Sequence, residues 1–225
     1  MDCALIIRLS RLTSHNVCTG ESSLSCEQLL IATSNAGKLK ELRRLLTGLP
    51  FELLSLADFR NIESVEETGS TFAENASLKA SGYARQTKVV TLADDSGLAV
   101  DKLKGRPGVY SARYVNADAS YPERIASLLA ELAGIARQDR TARFVCAMAV
   151  ASKAGEILFA TEKSCGGRIA AAPRGTGGFG YDPIFVPAGY NQTLAELPAE
   201  IKNQISHRAL ALQAVREFVG SLTAL

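Results

Sequence analysis

Chemistry in this chain would have to come from four short stretches of polar, charged or glycine-rich residues. The first is Thr33-Ser34-Asn35-Ala36-Gly37-Lys38, placed where an apolar run gives way to a helical pattern. Free backbone N–H groups and the helix dipole attract anions at such a junction. Gly37 would let the backbone approach an anion closely, Thr33, Ser34 and Asn35 offer short hydrogen-bonding side chains, and Lys38 adds a full positive charge. The spacing is not that of a P-loop, and a plain helix cap would read the same way. The second stretch is split in two: Glu66-Glu67 and Asp94-Asp95 supply four carboxylates on two segments. Hard oxygens of this kind suit Mg2+, which takes one or two carboxylates plus substrate phosphates. Solvated acidic turns are the alternative, although an Asp95 buried between apolar strands would be costly without a partner.

The third stretch, Gly175 to Asp182, has little side-chain cover, two aromatics (Phe179 and Tyr181) and one carboxylate. Such a loop could wrap a flat ligand, with Phe179 stacked on a base and Gly180, Asp182 and neighbouring peptide groups hydrogen-bonding its edge. A glycine-rich turn whose aromatics cap the core fits the composition equally well. The fourth stretch is Ser206-His207-Arg208, preceded by Lys202. His207 is one of two histidines, and no second His or Cys at ligand spacing supports a zinc site.

The segments between these stretches alternate between strand and helix signals. Leu29–Ala32 reads as a buried strand running into a helix over 38–46, with Leu39, Leu42, Leu45 and Leu46 on one face. Phe51–Leu56 is the next predicted strand. Thr71 and Glu74 have capping-box spacing, so a helix is expected from there to about Gln86. Val89–Ala93 should be a strand that bends at Asp94–Gly97 and resumes at Leu98–Val100. Pro122–Leu132 is predicted helical, and Arg143–Ala151 with Glu156–Lys163 reads as an antiparallel hairpin. Gly166–Gly180 reads as a glycine-rich loop, and Ile184–Val186 as a last strand. A closing helix follows from His207, with Ser206 as N-cap and Leu212, Val215, Phe218, Val219 and Leu222 inward. The pattern predicts a single α/β domain of two lobes, built on a mixed sheet with an antiparallel portion.

Length and composition agree with one core split around a cleft. The formal net charge of +2 gives little overall field to gather a polyanion, so phosphate chemistry needs a local site. A nucleic-acid-binding module using Lys38, Lys40, Arg43 and Arg44 is disfavoured: Glu41 interrupts that face, aromatics are 6%, and no nucleic-acid motif is present. No stretch approaches a membrane span. The five cysteines include no CxxC pair and read as reduced thiols of a cytoplasmic protein. Residues 1–28, Ser-rich and without sustained periodicity, read as a flexible extension, leaving 29–225 as the functional domain.

Six segments in one order carry a resemblance. Ala32–Lys38, Glu66–Asn75, Ala93–Leu98, Gly108–Tyr114, Gly177–Pro183 and Ser206–Arg208 together resemble the inosine triphosphate pyrophosphatase family, hydrolases of non-canonical purine nucleotides. The likeness covers roughly Leu29 to Val219. It implies a two-lobed α/β fold with a long mixed sheet, a nucleotide cleft between the lobes, a homodimer, and magnesium-dependent hydrolysis of ITP, dITP and XTP to the monophosphate and pyrophosphate. A related pyrophosphatase acting on modified or pyrimidine nucleotides through the same phosphate grip is the other enzymatic reading. By the resemblance, Thr33–Lys38 and Lys79 hold the triphosphate, and Glu66 and Asp95 hold Mg2+. Asp95 also accepts the proton of the attacking water, with Glu67 and Asp94 assisting. Ser96, Phe179, Gly180, Tyr181, Asp182, Lys202, His207 and Arg208 contact the nucleotide, and Arg113 is a further phosphate contact.

Overall fold

The computed structural model describes residues 27–222, so nearly all of the expected extension lies outside the described residues. Its six strands are β1 (Glu27–Ile31), β2 (Phe51–Ser55), β3 (Val90–Val100), β4 (Thr141–Ala151), β5 (Ile157–Ile169) and β6 (Phe185–Pro187). The helices are α1 (Ala36–Leu46), α2 (Phe72–Thr87), α3 (Tyr121–Glu131), α4 (Ala199–Ile205) and α5 (His207–Leu222). The strands form one sheet in the order β2-β1-β3-β4-β5-β6. β1 pairs in parallel with β2 and β3, joined through α1 and α2, while β3 to β6 pair antiparallel. The expected mixed sheet is therefore present. β1 begins at Glu27, two residues inside the segment read as an extension.

Three apolar clusters build the two lobes. On one face of the sheet, Leu42 and Leu46 of α1 and Leu212 and Val215 of α5 meet Leu92, Met148 and Val150. On the other face α2 packs through Ala76, Ala80 and Ala84 onto Ala93, Ala147 and Ala149, small side chains that let helix and sheet approach closely. The third cluster sits at the far end of the long strands, where Ile125 and Leu128 of α3 cover Leu98, Val100, Phe144 and Phe185. The cleft lies where the first two clusters give way to the third.

Two local expectations are corrected, and one helix is added. The chain does not bend at Asp94–Gly97: β3 runs unbroken from Val90 to Val100, with Asp94 opposite Met148 and Asp95 opposite Ala147 on β4. Gly97 is there for close approach, since a Cβ would collide with Ser111 and with the carbonyl of Gly108 in the 3-10 segment Gly108–Arg113. Gly166 and Gly167 likewise belong to β5 and not to a loop, and Gly167 makes room for β6. α4 escapes sequence reading because its seven residues carry only Ile201 and Ile205 as apolar anchors, too few for a periodicity.

Candidate active site

The long β3 sets up the site by its pleat. Successive side chains point to opposite faces, so neighbouring carboxylates are delivered into different surroundings. Asp94 faces α1 and α5, where Lys38 Nζ lies 2.9 Å and Arg208 Nε 3.8 Å from its Oδ2. Burial would keep this carboxyl protonated, but Lys38, Arg208 and Lys79 outweigh burial and hold it well below the usual carboxylate range. Asp95 faces α2. Its Oδ2 accepts from Asn75 Nδ2 at 3.0 Å, its Oδ1 accepts from the Ser96 N–H at 2.9 Å, and Lys79 Nζ stands 4.0 Å away. Burial and the nearby Glu67 raise the Asp95 carboxyl above its ordinary value, with Lys79 opposing them. Asp94 is thus a fixed internal counter-charge and Asp95 a tunable carboxylate at the cleft surface.

At the entrance to α1, Asn35 is the N-cap and its Oδ1 accepts from Lys38 N at 3.1 Å, while Thr33 Oγ1 accepts from Asn35 N at 3.2 Å. The N–H groups of Ala36 and Gly37 belong to the first helical turn and have no i−4 carbonyl, which leaves them for an anion. Thr33, Ser34, Asn35 and Lys38 line the cleft. From the acidic segment before α2, Glu67 turns inward and bonds Lys79 at 2.8 Å, which in turn approaches Asp95. Glu66 is exposed and lies outside the cleft. This places Glu67, not the expected Glu66, beside Asp95, because only one of two adjacent side chains can face the sheet.

The glycine-rich loop closes the other end. Asp182 Oδ2 accepts from the Phe179 N–H at 2.8 Å and from Lys202 Nζ at 2.7 Å, folding the loop back on itself. Phe179 lies 5.0 Å from Lys202 Nζ and 5.2 Å from the Arg208 guanidinium, measured to the ring centre. It also rests on Gly37, where a Cβ would come within 3.1 Å of the ring. Arg208 donates to Ser96 Oγ at 3.1 Å and pairs with Glu41. His207 is buried, stacks on Phe144 at 4.7 Å, and has no partner at Nδ1. Burial first, then Arg208 and Lys202, push its pKa well below the ordinary histidine value, so the ring is neutral and offers an uncommitted nitrogen.

The cleft brings together Thr33, Ser34, Asn35, Lys38, Glu67, Lys79, Asp95, Ser96, Phe179–Asp182, Lys202, His207 and Arg208 around a cavity of about 250 Å³ that opens to solvent. Arg113 does not join them: it is exposed, with its guanidinium 5.0 Å from the Tyr110 ring. Asp94 sits behind the wall. Three residues went unnoticed in the sequence. Glu41 bridges Lys202 (3.1 Å) and Arg208 from α1; its signal was a carboxylate three residues after Lys38 and four before Leu45, on the inward helical face. Asn75 ends the Glu66–Asn75 segment with no feature of its own to mark it. Tyr121, edge-on to Tyr181 at 5.5 Å and beside Gly180, lines the cleft from the other lobe with nothing in its spacing to announce it.

An α/β sheet whose inter-lobe cleft joins a helix-start anion grip, two inward carboxylates and a cation-backed aromatic is the architecture of a nucleotide-handling enzyme. Residues 29–218 match the Ham1 family, and the chain belongs to it. A dITP/XTP pyrophosphatase of Geobacillus kaustophilus is 52% identical over 191 residues, 85% of this chain and 93% of that protein. Another protein so named, from Geobacter sulfurreducens, is 50% identical over 86% of this chain and 96% of its own length. A solved HAM1 protein from Coxiella burnetii superposes with a TM-score of 0.79 at 39% identity, over 87% of this chain and 99% of that one. The resemblance drawn from the six sequence segments is borne out.

Proposed function

We propose that residues 29–225 form a pyrophosphohydrolase that converts ITP, dITP and XTP to the monophosphate and pyrophosphate, removing deaminated purines from the nucleotide pool. The observation that carries this reading is convergence: Lys38, Asp95 and Phe179, far apart in sequence, line one cleft. The names of the relatives from Geobacillus kaustophilus and Geobacter sulfurreducens point to dITP and XTP among these substrates.

The donor set fits Mg2+: among the described residues no cluster of three ligating side chains occurs, but Glu67 and Asp95 face the cleft together, the number of carboxylates magnesium takes when phosphates supply the rest. When bound, Mg2+ would neutralise phosphate charge and polarise the bond to the leaving pyrophosphate. The chain's own residues do the remainder. The α1 entrance and Lys38 hold the phosphates, Lys79 adds charge between Glu67 and Asp95, and Asp95 takes the proton of the water attacking the α-phosphorus. Phe179 stacks on the base. Arg208 donates to the 6-keto oxygen; the same donor would face the 6-amino group of adenine and be left unpaired, which disfavours ATP. We also propose a homodimer in the cytoplasm.

The test is product analysis with ITP, dITP, XTP, GTP, ATP and the pyrimidine triphosphates in Mg2+, with size-exclusion light scattering for the dimer. Pyrophosphate release favouring the deaminated purines is expected. Release of orthophosphate alone, or preference for a pyrimidine, would overturn the assignment.

A further inference from the structure

Asn75 is fully buried on α2 and does not reach the cleft, yet its amide is spent entirely on the site. Oδ1 accepts from the Gly69 N–H at 2.7 Å and Nδ2 donates to Asp95 Oδ2 at 3.0 Å. The two ends cannot be exchanged. The Gly69 N–H needs an acceptor, so the oxygen must face it, and the NH2 group must then face the carboxylate, which when ionised can only accept. Gly69 is required for this approach: a Cβ there would stand 2.6 Å from Glu74 Cβ and 2.7 Å from Asn75 Oδ1. Two residues before Gly69 is Glu67, the other inward carboxylate. Neighbouring positions on this helix face are alanines packed on the sheet, and an apolar residue at 75 would fill the space without the cost of desolvating an amide.

We infer that Asn75 is a positioning residue that works through Asp95. It pins one carboxylate oxygen from α2, while the Ser96 N–H pins the other from the strand, and it ties the segment carrying Glu67 to the same point. The spacing and tilt of the two carboxylates are therefore set by one buried amide. This inference rests on the proposed hydrolytic reading, since it assigns Asn75 to the orientation of the group that takes the proton from water.

The test uses the full chain with ITP and Mg2+, comparing Asn75→Leu with wild type. A wild-type protein that releases no pyrophosphate from ITP would sink the functional reading itself. With an active wild type, Asn75→Leu should lower kcat about tenfold to a hundredfold, the scale of a sub-ångström to 1 Å misplacement. KM, and ITP affinity measured calorimetrically in EDTA, should stay within about threefold. In an Asp95→Asn background the same change should cost clearly less than in wild type, because the part of its effect that acts through Asp95 is gone and only its hold on the Glu67 segment remains. If Asn75→Leu does not fold, Gly69→Ala loosens the same link from its other end and should give the same pattern. A folded variant with kcat within twofold of wild type, or a full additional loss in the Asp95→Asn background, overturns the inference.

Discussion

Replacing Glu41 by Gln should weaken both the fold and the choice of base. Lys202 and Arg208, which lie over Phe179, join Lys38 and three carboxylates, Glu41, Asp94 and Asp182, in one cluster with side-chain exposures between 0% and 15%. The charges balance, three against three. Glu41 contributes to two of the ion pairs, and Gln keeps its shape while leaving one uncompensated positive charge. Breaking a buried pair costs about 3–5 kcal/mol. Lys202 still has Asp182 at 2.7 Å and Arg208 still has Asp94 at 3.8 Å, so the lower end, about 3 kcal/mol, is expected. For a protein of this size that corresponds to a fall in Tm of roughly 6–12 °C. Arg208, released on one side, should lose its aim, lowering kcat/KM for ITP about tenfold and narrowing the preference over ATP. Denaturant unfolding and the ITP-to-ATP ratio check both parts. A stability change below about 0.5 kcal/mol with an unchanged ratio is the behaviour of an exposed pair, and would refute the idea of a shared buried network.

Asp95→Asn should preserve the fold and cut kcat on the order of a hundredfold or more, the contribution of a general base; a nearly fully active variant would remove Asp95 from that role. Burial and Glu67 raise the Asp95 carboxyl while Lys79 opposes the rise, so in the metal-free protein Lys79→Met should move the Asp95 titration, followed by NMR, higher still. An Asp95 titration that ignores the loss of Lys79 would contradict this electrostatic reading. Asp94 behaves oppositely: its folded-state pKa is depressed, so its stabilisation is present above the unfolded-chain value of about 4 and is lost as pH falls below it. Urea unfolding between acid and neutral pH should therefore decline less steeply on acidification in Asp94→Asn. Phe179→Ala should raise KM about tenfold with a smaller change in kcat, as expected for losing about 1–3 kcal/mol of base stacking; equal KM values would place the base elsewhere.

Much of this arrangement was legible in the sequence, and the failures have identifiable causes. Capping residues announced α2 correctly, with the Thr71 and Glu74 side chains both engaged, and Ser206 Oγ accepts from the Ala209 N–H as the predicted N-cap of α5. The two acidic pairs were visible as pairs, but which member turns inward depends on the direction of the chain against the sheet. That information is carried by Gly69 and Asn75, not by the glutamates. The bend read into Asp94–Gly97 arose because Asp, Ser and Gly are turn residues in isolation; tertiary pairing with β4 overrode that preference. Glu41 was read as an interruption of a basic face when its neighbours on α5 and α4, more than 160 residues away, decide its function.

The pleat of β3 also explains why adjacent aspartates can serve opposite purposes. A pair at a turn would share one solvent shell and repel, and neither carboxyl would be strongly perturbed. In a strand, Asp94 is buried with permanent cations on one face, while one residue later Asp95 meets an amide and a single more distant lysine on the other. On the proposed reading, the first fixes Lys38 and Arg208 for phosphate and base without competing for a proton. The second is left with a raised pKa and open access to the cleft, the two properties a proton acceptor needs. Inserting one residue into β3 would exchange these environments and send the proposed proton acceptor toward the cation cluster, so such an insertion should abolish activity if Asp95 has that role.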